Sequence, residues 1–213
     1  MNWQPTKLRD FFQYYDPSNP NHVAAVDLLQ SHAAAVMNDE ELWVTTYRGT
    51  TETSCGYLDM AANIIADFEG FRAEPYLCPA GVLTIGYGTT YYPDGSLVKA
   101  TDRHLTKKEA YHLLQHHIDH AVVYQMVRTI PNWGAMKDYQ KAAIISFAYN
   151  LGSNFYNNAG FNTISKALSS PANWHNVPEA MLLYVNPGSS FEAGLRRRRI
   201  AEGELWYGKG QYA

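Results

Sequence analysis

Asp67-Phe68-Glu69-Gly70-Phe71-Arg72-Ala73-Glu74-Pro75-Tyr76-Leu77-Cys78-Pro79-Ala80-Gly81-Val82-Leu83-Thr84-Ile85-Gly86-Tyr87-Gly88 changes its hydrophobic period partway along. Upstream, Leu58, Ala61, Ala62, Ile65 and Phe68 recur at spacings of three and four, which predicts a short amphipathic helix with Glu69 in its last turn and Gly70 as its stop. Downstream the helical period is lost. Pro79-Ala80-Gly81 reads as a turn, Val82 to Tyr92 is rich in β-branched and aromatic residues, and Pro93-Asp94-Gly95-Ser96 reads as a second turn. The stretch therefore predicts a helix running into a small hairpin or meander, with Cys78 and Thr84 on adjacent strands flanking the first turn.

The position of Glu69 has a chemical consequence. A carboxylate in the last turn of a helix faces the negative end of the helix dipole, and Phe68 and Phe71 beside it are expected to remove water. Both effects disfavour the charged form, which is what a general acid requires at neutral pH. Gly86 and Gly88 weaken a strand, so a close approach by another backbone or a sugar ring is expected there.

With Glu69, Cys78 and Thr84 in place, the segment resembles the catalytic signature of the phage-type lysozymes, the endolysins of glycoside hydrolase family 24. That family carries Glu, then Asp or in one subgroup Cys, then Thr at these offsets. Three further segments resemble it in the same order. They are Phe147-Ala148-Tyr149-Asn150-Leu151-Gly152, Phe161-Asn162-Thr163, and the closing run Gly194-Leu195-Arg196-Arg197-Arg198-Arg199-Ile200-Ala201-Glu202-Gly203-Glu204-Leu205-Trp206. The resemblance implies hydrolysis of the β-1,4 bond between N-acetylmuramic acid and N-acetylglucosamine in peptidoglycan, for host cell lysis. It implies Glu69 as general acid, Thr84 as holder of the attacking water and Cys78 as its partner. Gly88, Tyr149, Asn150 and Thr163 are implied as substrate-binding residues, and Arg198 and Arg199 as active-site support, with one of the two arginines expected to contact Glu69 or the chain around it. Where other members have Asp, the carboxylate suits activation of water on the face opposite the acid. A thiol is a weaker acceptor and is mostly protonated unless its pKa is lowered, so base, electrostatic partner and transient nucleophile all remain open for Cys78.

The chain of 213 residues, 46% hydrophobic, is long enough for one substantial core and an appendage. Its net charge of −3 gives no basic footprint, so nucleic acid is not an expected partner, and the acidic balance departs from the basic charge common among wall-degrading enzymes. The abundance of Tyr suits either sugar stacking or ordinary core packing. Cys55 and Cys78 make neither a disulfide framework nor a zinc pattern, and no cofactor is expected; an oxidative pairing of the two that would mask Cys78 is conceivable only if they lie close together. The most apolar stretch, His22 to Met37, is interrupted by Asp27, Gln30 and His32, so no membrane segment is expected. Taken with the resemblance, these readings lead to the expectation of a monomer that stays in the cytoplasm of the infected bacterium until it is released to the cell wall.

The fold expected is α+β and lysozyme-like, a small antiparallel sheet beside a mostly helical lobe, spanning 57–213. Residues 1–56 are expected to add a helical N-terminal extension, with helices over Lys7 to Tyr15 and Asn21 to Met37, a short strand-like run from Leu42 to Tyr47, and a linker from Arg48 to Ser54. A structural brace is preferred over a wall-binding module for it. Thr106-Lys107-Lys108-Glu109 is a capping box for a long helix ending before Pro131. Further helices are expected over Asp138 to Leu151, Asn162 to Leu168, Pro178 to Tyr184 and Glu192 to Trp206. His112, His116, His117 and His120 include i, i+4 pairs able to bind a metal, but read as a solvated helix face. Four consecutive arginines point around a whole helix rather than forming one patch, so one or two are expected to reach carboxylates and the others solvent. A lytic transglycosylase, a chitin-degrading enzyme and a catalytically silent wall-binding module are the alternatives.

Overall fold

Gly56–Glu69 forms the first helix, α1, and it ends at Gly70, whose N–H returns to the Ala66 carbonyl at 3.2 Å. The computed structural model describes residues 56–78 and 80–213; the expected extension, apart from Gly56, lies outside the described residues, as does Cys55 with its conjectured pairing. After α1 come β1 (Arg72–Leu77) and β2 (Leu83–Gly86), a two-stranded antiparallel hairpin in which Tyr76 faces Thr84. The register slips between Arg72 and Tyr76, where Pro75 cannot donate to a ladder and a bulge absorbs it. The apolar run expected to Tyr92 is strand only to Gly86; beyond it, single bridges join Ile85 to Thr89 and Tyr91 to Leu97.

The capping box is present in full. Glu109 N–H bonds to the Thr106 hydroxyl, and the Glu109 carboxylate takes the Thr106 N–H at 2.7 Å, opening α2 (Lys107–His117). The helical path runs on through a π stretch, Ile118–Val123, into α3 (Tyr124–Thr129). The expected long helix is thus continuous in path but widened in its middle, which hydrophobic periodicity does not reveal. A single 3₁₀ turn, Trp133–Ala135, leads to α4 (Asp138–Leu151), and α5 (Asn162–Leu168) follows. A second 3₁₀ segment, Pro171–Asn176, precedes α6 (Val177–Met181), shorter than the expected helix, and α7 (Glu192–Trp206) closes the fold.

The core lies around α4, whose residues from Ala142 to Ala148 are all buried, as an unbroken apolar run requires. One side takes Ala61, Ala62, Ile64 and Ile65 of α1, and α7 packs on it as well. Truncating the fully buried Phe147 there would cost about 3–5 kcal/mol. A second, smaller core of Ile85, Val98, Leu105 and Ala110 serves the hairpin. The helical path from Lys107 onward joins the two, because Ala110 belongs to the small core while Leu114, Ile118, Val122 and Met126 belong to the large one.

Gly86 shows why the hairpin docks so closely. Its φ is +69°, and a Cβ there would stand 3.0 Å from the Ala110 Cβ. The neighbour expected at this glycine is therefore a helix. Gly86→Ala should destabilise the protein by about 2 kcal/mol through backbone strain and overpacking, read as a lower midpoint in urea at unchanged slope.

Candidate active site

Three helices, α1, α4 and α7, meet at the end of α1. Glu69, its last residue, accepts a hydrogen bond from Arg198 Nη1 of α7 at 2.7 Å. The Glu69 side chain is 28% exposed and that of Arg198 only 5%, so a buried cation presents itself to a carboxylate that solvent still reaches. The sequence expectation of a carboxyl beside two phenyl rings needs correction. Gly70 turns the chain, Phe71 packs in the small core with its ring 5.6 Å from that of Tyr87, and Phe68 lies under the Arg198 guanidinium at 5.6 Å. The immediate partner of Glu69 is an arginine rather than a hydrophobic slot.

Arg198 is held from behind. Its Nε donates to Glu202 Oε1 at 3.2 Å and its Nη2 to the Ser146 carbonyl of α4 at 3.2 Å. Glu202, fully buried, also accepts from the Ser146 hydroxyl at 2.7 Å and from Arg199 Nη2 at 3.1 Å. Arg199 donates to Asn150 Oδ1 at 2.9 Å and lies over the Phe147 ring at 4.8 Å. Burial pushes the Glu202 carboxyl up, while the two guanidinium groups pull it down. Arg196 pairs with Glu192 on the surface and Arg197 is exposed, so the run of four divides as a helical wheel divides it. Ser146 and Glu202 escaped sequence reasoning as site residues, although the Arg-Arg…Ala-Glu spacing that places Glu202 one turn beyond Arg198 was a signal for it.

Cys78 and Thr84 come together across the hairpin. Cys78 N–H bonds to the Val82 carbonyl at 3.0 Å, closing the turn. The backbone N–H groups of Val82 and then Ala80 lead in lowering the Cys78 thiol below its ordinary pKa; burial opposes them, and the Thr84 hydroxyl adds to the lowering. Thr84 is buried, and its Oγ1 also lies 3.0 Å from the Val82 carbonyl, so one hydroxyl proton serves either that carbonyl or the sulfur. Alkylation of Cys78 by iodoacetamide should therefore show a pH midpoint below that of a free cysteine, and Thr84→Val should move it upward. Equal midpoints in the two proteins, followed by mass spectrometry, would show that the hydroxyl does not act on the sulfur.

Tyr149 brings Gly88 to the Glu69 side of the site. Its hydroxyl donates to the Tyr87 carbonyl at 2.9 Å, and a Cβ on Gly88, where φ is +98°, would stand 3.0 Å from it. Burial pushes the Tyr149 phenol up, and the Glu69 charge adds to that. His117, the last residue of α2, sets its ring edge-on to Tyr149 at 5.7 Å and tilted to Tyr91 at 5.4 Å. The solvated histidine face expected from sequence thus needs correction at His117, which burial drives towards its neutral form, and at His116, which stacks on His120 at 4.0 Å. Among the described residues no group of three or more His, Cys, Asp or Glu converges to hold a metal. Thr163 stands apart from these contacts, in an exposed part of α5, where it lines a hollow of about 400 Å³ with Lys166, Asn173, Asn176 and Glu179.

Residues 66–202 match the family model described as Phage lysozyme, and the chain belongs to that family. The SAR-endolysin of Escherichia phage P1 is 28% identical over 149 residues, 67% of this chain and 76% of the relative. The endolysin from Escherichia coli O157:H7 phage FAHEc1 superposes with a TM-score of 0.57 at 25% identity, over 74% of this chain and 94% of that one. The active form of P1 phage endolysin Lyz gives 0.57 at 23%, over 78% and 91%. The fold is lysozyme-like, with a two-stranded sheet beside a helical lobe, and the family acts on peptidoglycan. No helix among the described residues is long and apolar enough to cross a membrane.

Proposed function

We propose that this protein is an endolysin that hydrolyses the β-1,4 bond between N-acetylmuramic acid and N-acetylglucosamine, with Glu69 as general acid and Cys78, at the offset where the resemblance implies Asp or Cys, as the group that activates or orients water beside Thr84. The observation that carries the reading is the local chemistry of two unlike groups, each set by its own neighbours. Glu69 is a carboxylate anchored by Arg198 and open to solvent, and Cys78 is a thiol made more acidic by two N–H groups and the Thr84 hydroxyl. An acid that delivers a proton to the leaving oxygen and a polarised acceptor for water are the two parts glycoside hydrolysis needs. Arg198 fixes the carboxyl oxygen, and Thr84 orients what binds at the sulfur.

Tyr149 and Gly88 shape the floor on which a sugar ring would lie, and Tyr91 and His117 extend the aromatic surface. Asn150 serves this floor through Arg199, and Thr163 serves a more distant part of the glycan strand or its peptides. The protein acts on the wall after release from the cytoplasm, as a monomer. Mass spectrometry of purified peptidoglycan digested by the protein tests the reading: new reducing N-acetylmuramic acid ends are expected. New amino groups without new sugar ends would assign cleavage to the peptide and overturn it.

A further inference from the structure

Beneath the Glu69–Arg198 pair lies a buried cluster whose charges do not cancel without Glu69. Arg198 and Arg199 are 4% and 0% exposed, Glu202 is 0% exposed, and Ser146 completes the group. Two guanidinium cations thus share one buried carboxylate, and Glu69 at the edge supplies the second negative charge. Glu202 Oε1 collects three donors, from Ser146 Oγ at 2.7 Å, Arg199 Nη2 at 3.1 Å and Arg198 Nε at 3.2 Å. A guanidinium is a rigid fork, so fixing Arg198 at Nε by Glu202 and at Nη2 by the Ser146 carbonyl fixes where Nη1 points. It points at Glu69.

We infer that Glu202 is a positioning residue for the reaction, which aims Arg198 at Glu69 and cancels one of the two buried positive charges behind it. The inference rests on the reading of Glu69 as the general acid. With Glu202 neutral, the two buried cations would lose the charge that compensates them from behind, and the positive field at the catalytic centre would rise. The groups facing this centre are Arg198 from α7, the Tyr149 phenol from α4 and the Glu69 carboxyl from α1, with Arg199 and Ser146 behind them. Among these described residues, only Glu69 and Glu202 carry a carboxyl, and only Glu202 bonds to both arginines. A buried carboxylate serving two arginines is also a costly way to stabilise a core, since apolar residues of similar volume often do as well, and this suits a role in orientation.

The test uses Glu202→Gln in the full chain, with Ser146→Ala as the milder variant, on soluble peptidoglycan oligomers. Thermal unfolding first establishes that each variant is folded. Glu202→Gln should lower kcat by about 10²-fold, the cost of a slightly misplaced catalytic group, with little change in KM. The alkaline limb of its pH profile should move to lower pH, which a loss of packing alone would not produce. Ser146→Ala should lower kcat by a smaller factor, and if Glu202→Gln does not fold, a folded Ser146→Ala with wild-type kcat and pH profile overturns the inference. Folded Glu202→Gln with both unchanged overturns it directly. Glu69→Gln is measured alongside: if it remains active, the reading of the acid falls, whereas a dead Glu69→Gln beside an unaltered Glu202→Gln sinks only the role of Glu202.

Discussion

Glu69→Gln should give a folded protein whose wall-lysis rate lies about 10³-fold or more below wild type. Gln keeps an oxygen where Arg198 Nη1 donates at 2.7 Å, so the junction of α1 and α7 survives the change. What Gln lacks is a proton to deliver to the leaving oxygen and a charge to meet the cation that develops in the sugar ring. Positioned acid catalysis supplies about 10²–10⁴-fold and fixed electrostatics a comparable factor, which together set the expected loss. Turbidity clearing of wall suspensions measures the rate, and unchanged circular dichroism shows the fold is kept. Residual lysis above about a tenth of wild type would remove Glu69 from the acid role, because such a loss is near 1.4 kcal/mol and within reach of a change in packing alone.

The second large effect concerns the thiol. Cys78→Ala should fall by about 10²-fold or more, Cys78→Asp should remain active, and a maleimide should silence the wild type but not the Asp variant. In the hairpin turn the N–H groups of Val82 and Ala80 and the Thr84 hydroxyl face the sulfur, and they would serve a carboxylate equally well. Alanine leaves those donors without an acceptor and leaves the water unheld. Full activity in Cys78→Ala would reduce Cys78 to a half-buried packing residue and shift the handling of water to Thr84 alone.

Much of the fold was legible in the sequence because its punctuation is strong. Gly70, Thr106 with Glu109, Gly152 and the apolar run of α4 each mark a boundary by a local physical rule, and the helices over Asp138–Leu151, Asn162–Leu168 and Glu192–Trp206 have the expected limits. The π stretch at Ile118–Val123 leaves no such mark, since an extra residue in one turn hardly alters an apolar pattern. The strand expected to Tyr92 stops at Gly86, where the chain turns so that β2 can lie against Ala110, a contact that depends on tertiary packing. In the candidate site, Glu69, Cys78 and Thr84 are proposed from the family resemblance that their offsets carry. The surroundings of Glu69 could not be read in advance, because neighbours in sequence do not say which way a ring turns: Phe71 went to the small core and Arg198, far along the chain, took the place beside the carboxylate. Glu202 stayed hidden because a lone Glu on a helix usually faces water.

The central claim is that water, held near Cys78 and Thr84, cleaves a glycosidic bond to which Glu69 gives a proton. Digestion of purified peptidoglycan in water enriched in heavy oxygen, with mass spectrometry of the released fragments, tests it most directly. The account predicts the heavy atom in the new hemiacetal of N-acetylmuramic acid, with the label appearing at wild-type rate for Cys78→Asp and absent for Glu69→Gln. Unlabelled fragments ending in an anhydro sugar would contradict it, because they would show that the sugar's own hydroxyl, not water, attacks.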